Sequence, residues 1–190
     1  MREKDFDPKT VYRFDEDSGT YNIDIRIGSY GDLYNELDFS PVYKRDLDKD
    51  LVEFLESCVY EIPLNEPLAV NFFLEGAGRD PESEERARVI FRNYFSYSLR
   101  WEYSQRRELI KGIALYGPLG AVLLLLGFFS RKVFARETVG TSILQEGFFI
   151  GAWVLLWELF STLFFDFRRY SRRIRRYEKL EKARISFEIP

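Results

Sequence analysis

Two long apolar runs interrupt an otherwise charged chain. Gly112 to Phe129 carries no charge and includes four consecutive leucines, Leu123 to Leu126, with Leu109 and Ile110 extending it. Gly147 to Phe165 carries a single charge, Glu158. A helix needs about 20 apolar residues, and no fewer than roughly 17, to cross the hydrocarbon of a bilayer. Each run therefore predicts a membrane-spanning helix, and the short segment between them, Ser130 to Ser142, predicts a hairpin.

The polar remainder has its own periodicities. Tyr21 to Ile27 alternates apolar and polar residues, which predicts a half-buried strand. Ser29 followed by Asp32 reads as a capping box opening a short helix that carries Leu33 and Leu37. Pro41 marks an extended connection. A second helix starts near Asp46 and places Leu47, Leu51, Phe54, Leu55 and Cys58 on one face. Pro67 to Leu74 predicts a more deeply buried strand. Gly76 to Gly78 reads as a turn, and Asp80 with Pro81 as a helix start. No breaker follows before Gly112, so this third helix is expected to run straight into the first span, with Ala87, Ile90, Phe91, Tyr94, Phe95 and Leu99 as its apolar stripe. Asp166 to Lys182 likewise continues the second span. Ile185, Phe187 and Ile189 then alternate as a final strand, returning to the sheet of the first two.

These elements predict an α+β membrane protein: a two-helix transmembrane hairpin extended into a small domain of about three strands and two to three helices. The expected organisation is a mobile acidic tail over 1–20 and an α+β domain over 21–110. A span over 111–129, an external loop over 130–142 and a second span over 143–165 follow. A basic helix and final strand over 166–190 complete the domain.

Composition adjusts this picture. The chain has 190 residues and a net charge of −3, and its mean hydropathy is negative because the charged majority outweighs the two apolar runs. Nothing in the total charge points to nucleic acid. The distribution of charge matters more. Arg100, Arg106, Arg107 and Lys111 precede the first run, and Arg168, Arg169, Arg172, Arg173, Arg175 and Arg176 follow the second. The intervening loop holds only Arg131, Lys132 and Arg136. The positive-inside rule then puts both termini in the cytoplasm, as expected for a multi-pass protein of the cell membrane. There is no histidine and one cysteine, Cys58. This removes the commonest general base and metal ligand, and an internal disulfide. The polar, acidic start lacks the apolar core of a signal peptide.

Three stretches resemble an uncharacterised family of small bacterial two-span membrane proteins with a cytoplasmic α+β domain. They are DFSPVYKRDLD from Asp38 to Asp48, QEGFFIGAW from Gln145 to Trp153, and Trp157 to Asp166 with the arginine run after it. The likeness covers about residues 21–190 and implies the same order of elements. Where that family carries Arg-Pro after the tryptophan, this chain has Glu158 and Leu159. The resemblance implies an architecture and no activity.

Candidate chemistry is sparse. Asp46, Asp48 and Asp50 open like a calcium loop but lack its turn glycine and closing glutamate, so a helix cap is the simpler reading. Gly76 and Gly78 sit where a dinucleotide fingerprint would, yet Pro81 replaces the third glycine and Asp80, Glu82 and Glu84 would repel a pyrophosphate. Cys58 reads as a buried structural thiol. Glu158 is the sharpest anomaly, since a charge near mid-bilayer costs roughly 2.5–3.5 kcal/mol. It is expected to meet a partner helix, an internal pair or a pore. Gly147, Gly151 and Ala152 on the second span, and Gly117, Gly120 and Ala121 on the first, offer small-residue faces for close helix contact, with Pro118 as a kink site. Arg168, Arg169, Arg172, Arg173, Arg175 and Arg176 suit anionic lipid headgroups, at about 1 kcal/mol each near a surface. The expectation is a non-enzymatic membrane component, with no catalytic residue, cofactor, metal or nucleic acid. It assembles as a homo-oligomer or with other membrane subunits and presents a cytoplasmic scaffolding or sensing domain. The alternative is an oligomeric channel gated by that domain, with Glu158 lining the pore.

Overall fold

The alternation at Tyr21–Ile27 and the apolar run at Leu68–Leu74 do pair as strands. The computed structural model describes residues 6–41, 44–75, 78–133 and 138–189. It divides into two units, one of Met1–Trp101 with Arg173–Pro190 and one of Glu102–Arg172.

The first unit is built on a four-stranded sheet in the order β1-β2-β3-β4, with β1 Arg13–Asp15, β2 Thr20–Ile27, β3 Leu68–Leu74 and β4 Arg184–Glu188. β1 runs antiparallel to β2, whereas β2, β3 and β4 are mutually parallel. Parallel neighbours need crossovers. The first is helix α1, Lys49–Glu61, and the second uses helix α2, Pro81–Val133, with helix α4, Phe167–Glu181. The register pairs Ile23 with Val70 and Val70 with Ile185, then Ile25 with Phe72 and Phe72 with Phe187. One sheet face is thus apolar across the three parallel strands. Val52, Leu55 and Val59 of α1, Ile90, Phe91 and Phe95 of α2, and Ile174, Tyr177 and Leu180 of α4 are buried with it in a single core.

The polar segment departs from the sequence reading in four places. The sheet has a fourth strand, because the segment read as a tail holds a 3-10 turn at Pro8–Thr10 and β1. Asp15 accepts from Asp17 N–H and Ser18 Oγ, and Gly19 adopts a φ of 65°, a conformation that costs glycine nothing, which closes the hairpin. The Ser29–Asp32 capping box stops after one 3-10 turn, Tyr30–Leu33, leaving Leu33 buried and Leu37 92% exposed. Asp48, not Asp46, caps α1, accepting from Asp50 and Leu51 N–H at 3.0 and 3.1 Å. The α1 core face is also rotated, with Val52, Leu55, Cys58 and Val59 inside and Phe54 exposed.

The second unit contains the later part of α2, helix α3 Val139–Ser161 and a π turn Thr162–Asp166. Helix α2 is unbroken from Pro81 to Val133 and contains Pro118. Two helical stretches, Pro81–Ser130 and Val139–Glu181, are long and apolar enough to cross a membrane. The loop expected over 130–142 is shorter, since α2 extends to Val133 and α3 begins at Val139, and residues 134–137 lie outside the described residues.

Candidate functional site in the helical hairpin

Within the second unit, the small residues decide how the two apolar helices meet. Ala152 is fully buried, and a Cβ placed on Gly120 would lie 3.3 Å from Leu156 Cγ and 3.6 Å from the Ala152 carbonyl. Gly151 faces Leu123 at 3.3 Å and Gly117 faces Leu159 at 3.7 Å by the same construction. Gly127, not singled out from sequence, meets the Phe149 ring at 3.2 Å, and Ser130 Oγ donates to its carbonyl at 2.8 Å. Close backbone approach therefore places Gly117, Gly120, Gly151 and Ala152 inside the hairpin. Ala121 and Gly147 are exposed, with nothing within 4 Å of a Cβ on Gly147.

Glu158 is exposed too, and it forms no ion pair among the described residues. Its backbone carbonyl, with that of Leu159, accepts the Thr162 N–H as the helix passes into the π turn. At about 100° per residue, Gly147 and Glu158 lie roughly 20° apart around the helix. Exposed Ile150, Val154 and Trp157 lie on the same side of the helix, within about 100° of both. A carboxylate and a bare glycine thus share an apolar surface that the described residues leave uncovered.

The arginines of α4 fall on one side of their helix, within an arc of roughly 160° at about 100° per residue. Arg168, Arg169, Arg172 and Arg175 are exposed. Two others are engaged by the first unit: Arg173 donates to Tyr177 Oη at 3.0 Å and approaches Glu56 at 4.0 Å, and Arg176 lies 4.4 Å over the Tyr60 ring. Burial, then the hydrogen bond to Glu56, pushes the Tyr177 phenol up to about 12.

Other candidates take structural places. Cys58 is buried, and burial raises its thiol above the ordinary value, the opposite of what a nucleophile needs. Asp48 is a helix cap, and no group of three or more His, Cys, Asp or Glu side chains able to hold a metal occurs among the described residues. Gly76 lies outside the described residues, while Asp80 caps α2 by accepting from Glu82 N–H and Ser83 Oγ.

Three polar arrangements were not apparent from the sequence. Glu84 is 3% exposed and held by Arg79 at 2.8 Å and Arg88 at 3.1 Å; the Arg79 hydrogen bond first, then both positive charges, keeps its carboxyl below the ordinary range against burial. Glu102 is buried in the second unit. On the open sheet face, Asn71 Nδ2 donates to Asn22 Oδ1 and Asp24 Oδ1 at 3.2 and 2.7 Å, Ser186 Oγ donates to Asn71 Oδ1 at 2.6 Å, and Arg13 donates to Asp24. This ladder crosses all four strands. The polar positions of β2 were legible from its alternation, but the ladder also needs the strand register, which one sequence does not display.

No protein-family model, curated protein or solved structure matches this chain.

Proposed function

We propose that this chain is an integral membrane component that assembles through its two spans and carries its α+β unit in the cytoplasm as a scaffolding or sensing module. Only 11% of the most apolar 18-residue window of either helix is buried within the described residues. The core helix of a water-soluble protein would bury most of such a surface, whereas a bilayer accepts it. The excess of arginine and lysine outside the hairpin loop supports cytoplasmic termini.

Assembly rests on one observation above the rest: Glu158 is exposed on the same outward face as Gly147. Left against lipid, that carboxylate costs roughly 2.5–3.5 kcal/mol. A neighbouring helix removes the cost by offering a donor, and Gly147 lets that helix come close. The test is the mass of the detergent-solubilised full chain, by light scattering, for the native protein and Glu158→Leu. The native chain should be larger than a monomer and the variant should dissociate, although leucine is the better lipid-facing residue. A native chain that is a strict monomer at all concentrations, without a copurifying partner, overturns the assembly reading. In reconstituted vesicles, ion flux that changes in Glu158→Gln would favour the channel alternative.

A further inference from the structure

The amino-terminal ends of the three parallel strands open into a cleft of about 560 Å³ in the first unit, within the range of about 300–1,000 Å³ typical of small-molecule sites. Thr20, Leu68 and Arg184 begin its strands, the Leu64–Pro67 turn after α1 forms one wall, and the last turns of α4 form the other. Arg175, Lys179, Lys182 and Arg184 converge on it, against two carboxylates, Glu66 and Glu178, which leaves two positive charges in excess.

What sets these cations apart is their convergence on one cleft rather than the lack of an ion pair, which Lys9, Arg92 and Arg100 share among the described residues. Arg13, Arg79 and Arg88 each hold a carboxylate at 3.2 Å or closer. Among the described residues none of the four cleft cations has one within 4.0 Å. Lys179 is the least expected of them, since it is 8% exposed and lines the cleft. Its ammonium has three N–H donors, and Pro63 O accepts one at 2.6 Å. A buried ammonium with spare donors calls for an acceptor from outside. Arginine forks and lysine point charges gathered in one small cleft match a multiply charged oxyanion with several acceptors, and phosphate is the group that fits both the charge and the donor count.

We propose that this cleft binds a phosphate-bearing anion, either free in solution or carried on a lipid headgroup. The cleft residues all belong to the α+β unit, so a free anion as ligand does not depend on the membrane reading, whereas a headgroup as ligand rests on it. Burial pushes Lys179 down to about 8, with Glu66 opposing it, so an anion arriving beside it drives proton uptake near that pH.

The test footprints Lys179 of the full chain by acetylation and mass spectrometry, in nanodiscs of phosphatidylcholine or of phosphatidylcholine with phosphatidylglycerol, with inorganic pyrophosphate as the soluble probe. A free anion as ligand gives saturable protection by pyrophosphate in the neutral discs, with apparent affinity falling at least tenfold in Arg175→Gln/Arg184→Gln. A headgroup as ligand gives protection by the phosphatidylglycerol discs alone, lost in the same variant. Both substitutions are at exposed positions, so the fold survives them. The control Arg26→Gln/Lys49→Gln removes equal charge from exposed positions of the same unit outside the cleft and should change the affinity less than twofold. No protection by either probe, or equal loss in both variants, overturns the proposal.

Discussion

Glu84 is where a charge contributes most plainly to the fold. Its carboxylate is almost wholly buried yet sits between Arg79 and Arg88, and Arg88 also donates to Ile185 O at 3.3 Å and lies over the Phe187 ring. The carboxyl is held below the ordinary glutamate value. Its contribution is therefore complete above that ordinary value and disappears as pH falls through the lowered one. Glu84→Gln should cost roughly 1.5–3 kcal/mol at neutral pH, the range for hydrogen bonds to charged groups. Its deficit relative to the native chain should shrink on acidification, as read by denaturation at several pH values. In the sequence Glu82 and Glu84 stand out only as acids beside a helix start. Which one is buried depends on Arg79 reaching back from the preceding loop, and that contact has no periodic signature. Asp48 was shifted from Asp46 for a similar reason: both are good caps, and the pairing of Tyr34 with Leu47 settles where the extended chain ends.

The apolar helices were legible by length, but their rotation was not. Runs of leucine look alike from every side, so only the small residues carried information, and Gly127 escaped notice because its partner is a ring, Phe149, rather than another small residue. Filling the contact should hurt: Gly120→Leu or Gly127→Leu should destabilise the hairpin by about 1–3 kcal/mol through overpacking. Ala121→Leu, facing outward, should stay within about 0.5 kcal/mol. Unfolding of each variant in mixed detergent separates these outcomes. Strand β1 was missed because a strand of three residues leaves little alternation to detect. The turn chemistry of Asp15, Ser18 and Gly19 before Thr20 was the available signal for that hairpin.

The α+β unit is discontinuous in sequence, Met1–Trp101 plus Arg173–Pro190, with the hairpin unit inserted in its second crossover. The return of the last strand was readable because Ile185 and Phe187 alternate after a helix without breakers. Its parallel pairing with β3 was not, since alternation is silent on direction. Ile185 and Phe187 are both buried against the sheet core. Phe187→Ala should cost about 3–5 kcal/mol, and hydrogen exchange should show faster opening of β3 amides with those of α3 unchanged, because α3 belongs to the other unit. The placement of β4 also bears on biosynthesis. Roughly 110 residues separate the end of β3 from β4, so at about 5–20 residues per second the ribosome needs on the order of ten seconds to supply the missing neighbour. Throughout that interval β3, with the sequence LAVNFFL, presents an unpaired edge to any other nascent chain. Slower translation of residues 102–172 lengthens the exposure, which makes the codons of the apolar hairpin a determinant of how cleanly the distant sheet is completed.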